Sequence, residues 1–192
     1  MSRPMLRLLA LLLVALVGAA PASADEGAAL AALRSGGHVA LMRHGEAPGA
    51  ADPPGFRVDD CATQRNLSEK GRADAAAMGA MLRGQRAWIG KIVSSPWCRC
   101  RDTATLLNLG PVEIVETLGN PVDLRNQRQA LIEGTRALVD SWRGEGTLVV
   151  VTHGATIQAL TGMHPSSGEI FVVRPRSGAD LVPVVGRVPV PR

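Results

Sequence analysis

The sequence predicts an α/β fold, a three-layer α/β/α sandwich with a mostly parallel central sheet, on three observations. Short apolar runs alternate with helix-forming stretches through most of the 192 residues, as in strands joined by crossover helices. Two of these runs end in a histidine-glycine step, Arg43-His44-Gly45 and Thr152-His153-Gly154, and open α/β sheets bind ligands beyond the carboxyl ends of their strands. What remains after an N-terminal leader is long enough for one well-buried core.

The leader is residues 1–24. Arg3 and Arg7 precede the apolar run Leu8 to Val17, and Ala22-Ser23-Ala24 supplies the small residues that signal peptidase requires, so cleavage is expected between Ala24 and Asp25. The apolar run is too short to cross a bilayer, which takes about 20 residues. The expectation is a periplasmic or secreted protein with no stable membrane insertion after signal removal, and a single catalytic domain over residues 25–192.

Asp25 to Arg34 reads as a short helix stopped by Ser35-Gly36-Gly37, and Val39 to Met42 as the first strand. Residues 45–66, with Pro48, Pro53, Pro54 and Gly55, form a long loop, which in a compact domain is usually functional or mobile. Ser68 caps a helix to about Arg83 with Ala73, Ala77 and Met81 along one side. Lys91 to Ser94 is the second strand. Ser95-Pro96 places a capping hydroxyl before a proline and starts a helix to about Leu109. Val112 to Val115 is a third strand, Asp123 to Trp142 a helix, and Thr147 to Thr152 a fourth strand. A short helix over 155–161, a strand over 169–173 and an edge strand ending near Arg187 complete the pattern.

Beyond the strand ends this arrangement gathers Arg43, His44, Arg99 and His153. Two guanidiniums and two imidazoles around a small gap suit a phosphoryl group, since arginine binds its oxygens bidentately. Of the remaining histidines, His38 lies at the wrong end of the first strand and His164 sits in an exposed turn. The cysteines lack metal-finger spacing, and no metal site is expected.

The motifs Arg43-His44-Gly45, Ser94-Ser95-Pro96-Trp97-Cys98-Arg99-Cys100-Arg101-Asp102-Thr103-Ala104 and Thr152-His153-Gly154 resemble, in order, those of the histidine phosphatase superfamily, which includes the cofactor-dependent phosphoglycerate mutases. Arg65-Asn66-Leu67-Ser68-Glu69-Lys70-Gly71 is similar to that family's turn into its first long helix. The resemblance covers about residues 37–174 and implies a phosphoglycerate mutase-like fold. It implies a phosphomonoester hydrolase working without metal or cofactor through a phosphohistidine on His44. Arg43, Arg99 and His153 match the phosphoryl-binding residues, and Arg65 matches an arginine that approaches the phosphate in small members; the position of Arg101 is free. The general acid differs between branches, leaving Glu169, Glu116 and Glu46 as candidates, in that order. The alternative is a phospholigand-binding module of the same fold without turnover.

Only 53 residues separate Arg99 from His153, too few for strands, helix and a lid, so an open site is expected, favouring phosphatase over mutase. Expected partners are a phosphorylated small molecule, a cell-envelope sugar phosphate or a phosphoprotein. Loss of Arg3 and Arg7 with the leader lowers the formal charge from +4 to +2, which gives no reason to expect nucleic acid. Cys61, Cys98 and Cys100 in an oxidising compartment suggest one disulfide and one free thiol. On a helix Cys98 and Cys100 point about 200° apart, so a bond would join Cys61 to one of them; Cys100 shares a face with Ala104 and Leu107, which suggests burial.

Overall fold

The computed structural model describes residues 21–176, 178 and 180–192; most of the expected leader lies outside them. The six strands are β1 (Val39–Arg43), β2 (Ile89–Ser94), β3 (Val112–Ile114), β4 (Thr147–Thr152), β5 (Ile170–Val173) and β6 (Val184–Val188), and they form one sheet in the order β3-β2-β4-β1-β5-β6. The first four are parallel, with β1 paired to β4 from Val39 opposite Leu148 to Arg43 opposite Thr152. The antiparallel pairs β1–β5 and β5–β6 close the other edge. The side-by-side register of β1 and β4 sets His44 beside His153, one residue past each strand.

Both faces of the sheet are covered. Ala40, Met42, Ile92, Val149, Val151, Ile170 and Val172 pack on one side with helices α1 (Pro21–Ser35), α2 (Glu69–Gly84) and α3 (Cys98–Leu106). Their alternate neighbours Val39, Leu41, Val93, Leu148, Val150, Phe171 and Val173 pack on the other with α4 (Arg128–Ser141) and α5 (Gly154–Thr161). The central strands are buried on both faces, hence their continuous Val/Leu/Ile runs. The helix α1 continues across the expected cleavage point between Ala24 and Asp25.

Three helices depart from the sequence reading. In α2 the buried line is Gly71, Ala75, Met78, Gly79 and Leu82, whereas Ala73 and Ala77 are exposed; so many alanines make the pattern ambiguous, and the bulkier Met78 and Leu82 decide which side faces the core. Helix α3 starts at Cys98 with Trp97 as its N-terminal residue, without a side-chain cap; the Ser95 hydroxyl accepts the Trp97 N–H at 3.4 Å and also bonds His153 at 2.9 Å. Helix α4 starts at Arg128, after a 3-10 turn at Arg125–Gln127, so Asp123 belongs to a loop. Ser68 caps α2 as expected, its Oγ accepting the Gly71 N–H at 3.0 Å.

Candidate active site

The chain leaves β1 through a tight contact. A Cβ on Gly45 would lie 2.7 Å from the Gly71 carbonyl oxygen, and one on Gly71 would lie 2.2 Å from that of Glu46. Only glycine at both positions lets the segment after His44 press on the start of α2. Gly45 N–H also donates to Thr103 Oγ1 of α3 at 3.0 Å. The His44 backbone is thus fixed from two helices, and its own N–H donates to the Thr152 carbonyl.

The two imidazoles are buried and face each other edge to face, centroids 5.5 Å apart. His44 Nδ1 lies 2.8 Å from the Gly45 carbonyl. A carbonyl only accepts, so Nδ1 carries the proton and the Nε2 lone pair is free to attack. Burial, with the Arg99 charge next, lowers the His44 pKa to about 3, which keeps that nitrogen unprotonated at any ordinary pH. His153 is likewise held well below its usual value by burial and then by its neighbours. Its Nε2 shares a 2.9 Å hydrogen bond with Ser95 Oγ, and its ring also meets Trp97 edge-on.

The arginines carry unspent donors. Arg43 Nη1 donates to the Pro165 carbonyl at 3.0 Å, and Arg65 Nη1 donates to the carbonyls of Ala47 and Gly49. Yet Arg43 Nε, Arg65 Nε, Arg99 Nε and Arg99 Nη2 are buried without a hydrogen-bond partner. A buried, unsatisfied guanidinium N–H is costly. All three arginines lie close enough to depress His44 through their charge. Four orphaned cationic donors near a neutral, nucleophilic imidazole describe a seat for an oxyanion.

The site is covered, contrary to the expectation of an open one. His44 is 3%, His153 2% and Arg99 0% exposed. The material comes from the loop between β1 and α2 rather than from the short segment between Arg99 and His153. Asp52 of that loop accepts from Arg99 Nη1 with both oxygens, at 3.0 and 2.9 Å, from Trp97 Nε1 at 3.0 Å and from the Arg65 N–H at 2.8 Å. A disulfide joins Cys61 to Cys98, and Gln64 Oε1 accepts the Cys98 N–H, tying the same loop to the head of α3. Cys100 is free and buried, 3.6 Å from His153 Nε2, with burial pushing its thiol up to about 12.

The candidate acids lie in unequal places. Glu169 is buried, but its Oε1 is bound by Arg187 at 2.6 Å and its Oε2 accepts the Ser166 N–H, so it pins the turn before β5. Glu116 is exposed on the surface beside Arg101 and Asp59. Glu46 Oε2 accepts from the Ser68 hydroxyl at 2.6 Å. Sequence reasoning missed Asp52 and Asp123. Asp123 Oδ2 stands 3.6 Å from Arg99 Nη2 and accepts from Asn120 Nδ2. The only hint of Asp52 was an acidic residue within a proline-rich loop. Among the described residues no group of three or more His, Cys, Asp or Glu could hold a metal, and no helix is long and apolar enough to cross a membrane.

Comparison with known proteins agrees with this geometry. Residues 39–120 match the model of the histidine phosphatase superfamily (branch 1). No curated protein matches the sequence. Among solved structures, the protein histidine phosphatase SixA complexed with tungstate is similar over 78% of this chain and 95% of its own, at 20% identity and a TM-score of 0.51. A mycobacterial glucosyl-3-phosphoglycerate phosphatase in complex with VO3 is similar over 71% of this chain and 92% of its own, at 19% identity and 0.52. An Entamoeba histolytica phosphoserine phosphatase mutant bound to phosphoserine covers 78% of this chain and 95% of its own, at 17% identity and 0.51. At these identities the likeness is one of fold.

Proposed function

We propose that this chain, which belongs to the histidine phosphatase superfamily, hydrolyses phosphomonoesters by way of a phosphohistidine at His44. The observation that carries the reading is the set of orphaned buried donors on Arg43, Arg65 and Arg99 around an imidazole whose Nδ1–H is committed to a carbonyl. Phosphoryl transfer spreads charge over three equatorial oxygens and is accelerated mainly by positioning and electrostatics. The arginine donors bind those oxygens together with His153, which is steadied by Ser95. His44 Nε2 attacks phosphorus as the ester oxygen departs, and water then attacks the phosphohistidine to release inorganic phosphate.

The phosphatase reading is favoured over bare ligand binding by His44 itself. A module that only held phosphate would gain from a protonated imidazole, whereas burial and Arg99 keep this one neutral. Substrates are phosphorylated small molecules, envelope sugar phosphates or phosphoproteins; the comparison proteins named for phosphohistidine and sugar phosphates keep both ends of that range in play. We also propose export, with removal of residues 1–24. Intact mass of protein secreted by a bacterial host tests the cleavage between Ala24 and Asp25. For the activity, purified protein in EDTA is assayed against a panel of phosphomonoesters, with acid-labile phosphoenzyme trapped by quenching. Turnover with a phosphoenzyme that His44→Ala abolishes is expected. Phosphate binding with no turnover of any ester would overturn the reading.

A further inference from the structure

One element of the reaction has no assigned residue: the proton that the departing ester oxygen needs. The strand-end residues do not supply it. His44 Nδ1–H is held by a carbonyl and His153 Nε2 by Ser95. Glu169 is neutralised by Arg187, and Glu116 is at the surface. Asp52 is ruled out by its bonds, since it accepts four hydrogen bonds, two of them from Arg99. Although burial works against its charge, the Arg65 N–H and Arg99 hold its carboxyl below the usual range.

We propose that Asp123 donates this proton, held beside the phosphoryl seat by Arg99, Asn120 and Asp52. Its Oδ2 faces Arg99 Nη2, one of the orphaned donors of the seat, at 3.6 Å, and accepts from Asn120 Nδ2 at 2.5 Å. Asn120 donates to Oδ2, which leaves Oδ1 to carry a proton on this carboxyl. Asp123 therefore stands beside one of the donors that the proposed phosphoryl seat offers. Burial first, and then the hydrogen bond with the ionised Asp52, raise the Asp123 pKa above its usual value, as a proton donor near neutral pH requires. The two aspartates differ as acid and base pairs do when their surroundings push them apart.

The step balances. The His44 Nε2–P bond forms as the P–O ester bond breaks, and the Asp123 proton passes to the ester oxygen, giving an alcohol and an ionised Asp123. In the second step that carboxylate accepts a proton from the attacking water as the P–N bond breaks, which restores both residues.

This assignment rests on the phosphatase reading, and its test separates the two. For wild type and Asp123→Asn, kcat/KM, which reports events up to phosphoenzyme formation, is measured with an alkyl phosphate and with p-nitrophenyl phosphate, whose nitrophenolate leaves without a proton. Asp123→Asn is expected to lose roughly 10²- to 10⁴-fold on the alkyl ester and less than about tenfold on the nitrophenyl ester, with phosphoenzyme accumulating. Equal losses on both esters would overturn the proposal. Asp123→Glu, which restores a carboxyl, is expected to recover part of the alkyl activity lost in Asp123→Asn. If neither variant folds, the wild-type protein decides: kcat/KM nearly independent of leaving-group basicity supports an internal acid, and a steep dependence overturns it. A wild type that hydrolyses neither ester sinks the phosphatase reading itself.

Discussion

The site has a floor and a cover, and they are built differently. The floor consists of strand ends: Arg43 at the end of β1, His44 after it and His153 after β4, set side by side by the parallel register of the two strands. The cover is the irregular stretch between β1 and α2, held by one carboxylate, Asp52, and one disulfide, Cys61–Cys98. A floor made of sheet obtains its precision from the core. A cover without regular hydrogen bonding must obtain it from specific side chains. On the proposed function the floor should control reaction rate, and the cover stability and the placing of Arg99.

Removing the proposed nucleophile has the largest expected effect. His44→Ala is expected to cut kcat/KM by 10⁴-fold or more, about the scale of losing other covalent nucleophiles, while the thermal midpoint falls little. Steady-state assay and differential scanning calorimetry check both halves. A large unfolding effect with residual turnover would reverse the division between floor and cover. Asp52→Ala is the matching test of the cover. It strips a fully buried arginine of its ion pair, and breaking such a pair from one side costs roughly 3–5 kcal/mol. Urea melts should show this loss, with Asp52→Asn milder because it keeps a hydrogen-bond acceptor.

The disulfide comes next. It closes a loop of 37 residues, for which constraint of the unfolded chain is worth about 2–4 kcal/mol. Cys61→Ser should lower stability by that amount and raise the KM for phosphate esters, since the loop also carries Asp52 and Arg65. If stability falls while KM is unchanged, the tether stabilises the chain without positioning the cover.

The floor could be read in the sequence and the cover could not, for a physical reason. Strand ends are local features: an apolar run, a histidine and a close-packed glycine mark them. Even there the structure departs from the expected pattern where residues are chemically uniform, as in the alanine-rich α2, and at α3, which starts three residues after Ser95. Asp52 and Asp123 depend on contacts across 47 and 24 residues to Arg99, and nothing local distinguishes them from surface carboxylates. Asp123 was also obscured by the apolar periodicity that continued back to Leu124, beyond where α4 begins. The disulfide lay between these cases: helix geometry excluded a Cys98–Cys100 bond, and only the fold chose Cys98 over Cys100.

Acid sensitivity gives the smallest effect and contrasts His44 of the floor with Asp123, which lies between β3 and α4. His44 has its pKa lowered to about 3 in the folded protein against roughly 6.5 in the unfolded chain. Above about pH 6.5 neither state is protonated and His44 adds no pH dependence. Below it the unfolded chain takes up a proton that the folded protein refuses, so stability falls with pH until the native ring also titrates, by at most about 1.4 kcal/mol per pH unit. His153 acts in the same direction. Asp123 works the opposite way: its folded pKa is raised, so it contributes stability that is lost as pH rises through that value. Urea melts between pH 4.5 and 7 should therefore show a shallower decline for His44→Asn than for wild type and a steeper one for Asp123→Asn. Parallel slopes for all three would mean that neither group has its protonation shifted by folding, removing the electrostatic basis for both assigned roles.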